Sequence, residues 1–246
     1  THPEPMRIVS GRIDEAKVHF EAPPSDRVHA EMVEYIKWFH RTAPAGSAPL
    51  GALTRAGIAH LYFQSIHPFE DGNGRIGRAV VEKVFAQSVG RPSFTAIAAT
   101  MLARRTEYYA ALAATNKRND ITEWLVWFAG AALEAETRTL HQVEFLIDKT
   151  KFLDRLSGMI NARQQLALER MLREGPGGFE GGMSAGKYVV ITKTSVATAT
   201  RDLGELVEVG AVRRTGSNRS ARYHLTIPLR PDLRVTIDQT GEIVES

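Results

Sequence analysis

The chain has 246 residues, 43% hydrophobic and 24% charged, with no cysteine and a formal net charge of +3. This is enough for one large globular domain or two ordinary ones, and it excludes disulfide frameworks and thiolate metal sites. The longest apolar run, Trp124–Leu133, is too short to span a bilayer, and the mild basicity permits nucleic-acid binding without indicating it. The start shows no signal-peptide pattern, so no membrane association and a cytoplasmic location are expected.

In chain order, Met6–Ser10 and Lys17–Ala22 are short β-branched runs that predict a hairpin over about 6–22. Pro23 and Pro24 stop the second strand, and Ser25 is an N-cap candidate for a helix carrying Val28, Met32, Tyr35, Ile36 and Phe39. A loop from Thr42 to Gly51 follows, then a helix to about Ile66. The next helix ends at Gly90 with Pro92 behind it. Ala96–Asn116 reads as one helix, and Asp120 with Glu123 predicts a capping box for a long helix beyond. Composition changes at 175–182 (GPGGFEGG), a turn or linker ahead of a second domain. The pattern is mainly α, without βαβ alternation.

Chemistry concentrates in HPFEDGNGRIGR, residues 67–78. The stretch runs from one helix through a tight loop into the N-terminus of the next, where free backbone N–H groups and the dipole favour an anion. Gly72 and Gly74 permit positive φ and close approach of a ligand. Arg75 and Arg78 lie three apart on one helix face, in reach of one polyanion. His67 offers a base that titrates near neutrality, and Asp71 a hard oxygen for a metal. Taken singly, each residue would fit a capped turn with solvated arginines. Together they suit phosphoryl or nucleotidyl chemistry. His60, seven residues upstream, is read as structural.

This stretch resembles the Fic-family motif H-x-F-x-[D/E]-G-N-G-R-x-x-R at His67, Phe69, Asp71, Gly72, Asn73, Gly74, Arg75 and Arg78. The resemblance implies a Fic-type helical bundle with a β-hairpin flap, here assigned to residues 1–155. It also implies transfer of AMP from ATP to a Ser, Thr or Tyr hydroxyl of a protein, another or the chain itself, with release of pyrophosphate. His67 would be the general base, and Asp71 would hold Mg²⁺. The backbone from Gly72 to Arg75 would stabilise charge, and Asn73 would brace the loop. Arg75 would support the diphosphate and Arg78 grip the γ-phosphate. Phe69 is expected to be a core anchor holding His67 in place. Glu107-Tyr108-Tyr109 with Asn116 resembles the segment lining the adenine pocket. Val18, His19, Phe20 and Glu21 resemble the flap that docks a target by strand addition. AMP removal by the same fold stays open as an alternative.

Inhibitory helices in the family follow [S/T]-x-x-x-E-[G/N], and no Ser or Thr here is followed four residues later by Glu. With a start at Thr1, the expectation is that such a helix has been cut away upstream. Residues 156–246 are assigned to a winged helix-turn-helix with a C-terminal tail: a helix over 162–174, helices over 185–190 and 194–209, a hairpin over 212–226, and a tail hairpin from Pro231. Between Pro176 and Leu225 seven Lys/Arg face four Asp/Glu. DNA contact through the wing is compatible with this, but Thr and Ala dominate the second helix, so a protein-interaction role or a DNA-binding regulator with a nucleotide-sensing Fic part are alternatives. A homodimer is left open.

Overall fold

The computed structural model describes residues 7–10, 17–115, 120–238, 240 and 242–245. Strands β1 (Arg7–Ser10) and β2 (Lys17–Glu21) pair antiparallel, with Ile8 opposite Phe20 and a register irregularity after Ile8. The prolines then act as expected, but one residue out. The cap position of helix α1 (Ser25–Arg41) falls on Pro24, which has no N–H to satisfy, so Ser25 is the first helical residue rather than the cap.

Helix α2 (Ala52–Ile66) is the centre of the first unit. Trp124 and Phe128 cover it from the long helix α6 (Thr122–Leu156), and the Trp124 indole donates to the Gly57 carbonyl at 2.9 Å. Helix α3 (Asn73–Val89) lies against the same helix and ends on Gly90 in the left-handed conformation, as the Gly90–Pro92 signal predicts. At Gly77 a Cβ would come within 2.4 Å of the Gln64 amide and 3.1 Å of His60, so only glycine lets α3 approach α2 this closely.

The expected single helix over 96–116 is two: α4 (Ile97–Ala103) and α5 (Arg105–Thr115), broken at Arg104. Arg104 is buried with its guanidinium tied to Glu107, Glu134 and the Val235 carbonyl, and its N–H still donates to Thr100 O at 2.9 Å. Asp120 does cap the next helix, accepting from the Thr122 N–H at 2.9 Å.

The chain separates into two compact units, one running through Thr137 and resuming at Arg234, the other Arg138–Leu233. This differs from a boundary at 155/156. Helix α6 carries no breaker, and Phe145, Phe152 and Leu156 on it belong to the second core. The tail forms the antiparallel pair β5 (Val235–Ile237) and β6 (Ile243–Glu245), which counts with the first unit rather than with the second.

The second unit contains α7 (Ala162–Leu172), α8 (Ala185–Thr192), α9 (Val196–Glu208), and the hairpin of β3 (Val212–Thr215) and β4 (Arg222–Leu225). Met183 adds a single bridge to Tyr223. The glycine-rich 175–182 stretch is no linker between domains. It turns inside this unit, with Phe179 packed on the core and the Pro176 carbonyl accepting from Arg230 N–H at 2.8 Å.

Candidate active site

The 67–78 stretch joins α2 to α3 as a clasped loop. Ile66 and Phe63 are buried at the end of α2, and burying such side chains contributes about 1.5–3 kcal/mol each. That exceeds the roughly 1–3 kcal/mol cost of a non-glycine residue in the left-handed region, where His67 sits with φ 50°. The His67 N–H still donates to Phe63 O at 3.1 Å. The packed helix end therefore holds the imidazole in an orientation that a relaxed backbone would not supply.

Asn73, the first residue of α3, closes the loop. Its side-chain oxygen accepts from Phe69 N–H at 3.1 Å, and its amide donates to Phe69 O at 2.5 Å. Gln64 donates to Asn73 O at 3.0 Å, tying the loop back to α2. Asn73 thus braces the loop. Phe69 is a correction: it is 45% exposed, not a core anchor. Asn73 grips its backbone, so the ring need not be buried to fix the turn.

Gly72 has φ 91° and caps α3 without a side-chain hydrogen bond. Its own N–H is taken by Asp71 Oδ1 at 2.6 Å. The expected anion cradle from Gly72 to Arg75 therefore narrows to the N–H groups of Asn73, Gly74 and Arg75, the first turn of α3. Asp71 Oδ2 accepts from Arg75 at 2.8 Å, both side chains being largely exposed. In water such a pair contributes well under about 1 kcal/mol, so it is easily exchanged for another partner.

A cleft of about 250 Å³ is lined by Gln64, His67, Glu70, Asp71, Gly72, Asn73, Gly74, Arg78, Tyr108, Tyr109 and Leu112. Most of the residues chosen from the sequence meet here. Arg75 does not line it, and Asn116 lies outside the described residues. Of Val18, His19, Phe20 and Glu21 the backbone is described, in β2. Gln64, Glu70 and Leu112 were not singled out by sequence reasoning. A lone glutamine three residues before His67 in an apolar helix was the available signal for the first.

Burial lowers the His67 pKa, against a hydrogen bond with the Gln64 backbone that raises it, so the imidazole stays neutral below its usual range. Behind the cleft, His60 is fully buried, 3.0 Å from the Tyr108 hydroxyl and stacked on Trp124. Burial brings its pKa down to about 4, against a raising Gly77 backbone bond, with Arg78 adding to the lowering. Burial likewise pushes the Tyr108 hydroxyl upward. Tyr108 thus forms a buried back wall, whereas Tyr109 is partly exposed beside Arg105, whose guanidinium lies 5.7 Å from its ring. Among the described residues no group of three or more His, Asp or Glu is arranged to hold a metal.

Residues 3–85 match the Fic/DOC family. Over 112 residues the chain is 27% identical to Protein adenylyltransferase fic-1 of Caenorhabditis briggsae, covering 44% of this chain and 20% of that protein. The Caenorhabditis elegans protein of the same name is 28% identical over 112 residues, with the same 44% and 20% coverage. The chain thus matches about a fifth of the length of these relatives. A Fic family protein of known structure from Desulfovibrio desulfuricans G20 gives a TM-score of 0.48 at 22% identity, covering 92% of this chain and 62% of that one. The likeness to the Fic/DOC family thus lies in residues 3–85, and the described residues are mostly helical.

Proposed function

We propose that the cleft binds ATP and transfers its AMP group to a Ser, Thr or Tyr hydroxyl of a protein. The observation that carries this reading is the meeting of His67, Asp71, the Gly72–Gly74 turn, Arg78, Tyr108 and Tyr109 on one cleft. The names of the two Caenorhabditis relatives support it over the part they share.

In the proposed step the hydroxyl oxygen bonds to the α-phosphorus, the bond to the β-phosphate oxygen breaks, and pyrophosphate leaves. His67 takes the hydroxyl proton, a role served by an imidazole kept neutral by burial. The amides at the start of α3 face developing negative charge. Arg78, which lies 3.2 Å from where a Gly74 Cβ would be, grips the terminal phosphate. Tyr108 and Tyr109 supply an aromatic wall for the base.

Asp71 fits a magnesium ion of the substrate complex. It is exposed, its carboxylate keeps acceptor capacity beyond its two hydrogen bonds, and magnesium commonly takes one or two carboxylates plus phosphate oxygens. The ion would supply neutralisation of phosphate charge. Arg75, now paired with Asp71, would be released toward the diphosphate. The β1–β2 hairpin, through Val18–Glu21, docks the target segment by adding a strand. In the second unit, three helices followed by a hairpin, with the Met183–Tyr223 bridge, support a winged-helix reading.

The test is incubation with Mg²⁺ and ATP labelled on the α-phosphate, with the chain alone and with a mixture of candidate proteins. Label on protein is expected, with none from γ-labelled ATP. Transfer of the γ-label instead, or ATP binding without transfer to any protein offered, would reject the reading.

A further inference from the structure

We propose that strand β5 is a strap that positions the cleft-facing side of α5, with Arg234 and Glu107 as the positioning pair. This rests on reading the cleft as a nucleotide site, since α5 brings Tyr108, Tyr109 and Leu112 to it.

Helix α5 spans 11 residues and starts directly after the break at Arg104. A helix that short has little stability of its own and takes its position from tertiary contacts. On one side Tyr108 is held by the His60 bond. On the other, the carboxylate of Glu107, the residue before Tyr108, accepts two bonds from Arg104, at 3.0 and 2.9 Å, and one from Arg234. Arg234 lies 127 positions further along the chain.

The strap is seated on a buried pair. Arg104 donates to Glu134 at 3.4 Å and to the Val235 carbonyl at 3.0 Å, and the Val235 N–H donates to Glu134 at 3.4 Å. Both peptide groups of Val235 thus close over Arg104 and Glu134. Two carboxylates face two guanidinium groups, and Arg234 supplies the second positive charge. Without it Glu107 keeps only Arg104, the cation that also binds the buried Glu134. The strand can lie this close because residue 130 of α6 is glycine: a Cβ there would sit 3.1 Å from the Val235 carbonyl oxygen. No step of the proposed chemistry uses Arg104, Glu107, Glu134 or Arg234. Their arrangement holds α5 against α6, and thereby fixes where the two tyrosines stand.

The strap can be loosened in two independent ways in the full chain. Arg234→Ala removes the charge, and Gly130→Ala crowds the Val235 carbonyl at 3.1 Å while favouring the helix it sits on. Amide hydrogen exchange across 105–115, without nucleotide, is expected to rise about tenfold in both variants, as loss of a charge-assisted bond predicts. KM for ATP should rise about three- to tenfold with kcat within about twofold, and Arg234→Lys should recover part of both effects. Arg27→Ala, which removes an exposed pair with Glu31 on α1, is the control and should leave both readings unchanged. Unchanged exchange across 105–115 in both variants, or a fall in kcat at constant KM, would overturn the strap. A parent chain that binds no adenine nucleotide would reject the nucleotide reading instead, while the exchange measurement still decides whether the strap exists.

Discussion

The cleft of the first unit and the core of the second treat polar side chains in opposite ways. In the first, His67, Asp71, Arg78 and Tyr109 line an open cleft. In the second, Asp202 is buried among Arg163 at 2.9 and 3.2 Å and the Tyr188 hydroxyl at 2.9 Å. Gln164 joins the knot through Asp202 O at 3.2 Å and Glu205 at 2.7 Å. Burial would raise the Asp202 pKa, but the bonds from Arg163 and Tyr188 outweigh it and hold the carboxyl below its usual range. A group whose bonds all close on one another joins α7, α8 and α9. It has nothing left with which to act on a ligand. Residue type does not separate these cases, since each contains carboxylate, arginine and tyrosine. The direction of the bonds does.

If that distinction holds, damage to the cleft should cost chemistry and damage to the knot should cost stability. The largest effect is expected from His67→Ala, with AMP transfer falling about 100-fold or more while ATP still binds. His67→Asn, better suited to the left-handed backbone, should fall as far, measured by α-label incorporation. Retained labelling would remove His67 as the base.

Next comes His60, one of the closed polar groups of the first unit. The unfolded imidazole takes a proton near 6.5, while the folded one resists until about 4. Stability should therefore be full above pH 6.5 and decline as pH falls toward 4, by about 3 kcal/mol at 1.36 kcal/mol per pKa unit. Denaturant midpoints followed by tryptophan fluorescence report this, because Trp124 stacks on the ring. His60→Gln should flatten the slope. A parent chain equally stable at pH 4.5 and 7 would show that the burial is not felt.

Asp202→Ala should lower the stability of the second unit by about 2–3 kcal/mol, toward the low end for a buried pair because Arg163 can turn to water. Calorimetry is the appropriate probe, as the three tryptophans, Trp38, Trp124 and Trp127, all lie in the first unit. AMP transfer should be unchanged, and a loss beyond about threefold would erase the separation of roles. Smallest in free energy, Arg78→Ala should weaken ATP binding about tenfold to a hundredfold and ADP binding less, since a lost charge-assisted bond costs about 1.5–3 kcal/mol. Equal weakening of both nucleotides would mean that Arg78 does not read the terminal phosphate.

What was readable beforehand follows the range of the forces involved. Gly90 and Pro92, Pro24 and Asp120 act on their immediate neighbours, and helix ends near them come out within a residue or two. The motif was readable because its parts are contiguous. The burial of Arg104 was not, because the groups that hold its side chain, Glu134 and Val235, lie far along the chain. Phe69 misled for a related reason. An aromatic residue beside a catalytic candidate suggests burial, yet here its backbone is clasped by an amide four residues on. The 175–182 stretch misled because glycine allows both a flexible link and a tight turn, and only Phe179 packing on the second core decides between them.

The clasp of Asn73 on both peptide groups of Phe69, with Gln64 behind it, makes the loop a pre-formed receptor. The entropy of ordering these residues is spent when the chain folds, not when a ligand arrives. On the proposed function, a nucleotide would meet a backbone already ordered, with only the exposed Asp71–Arg75 pair left to exchange partners. Loosening the clasp would move that ordering cost from folding to binding, so the same final contacts would be reached more slowly and held less tightly.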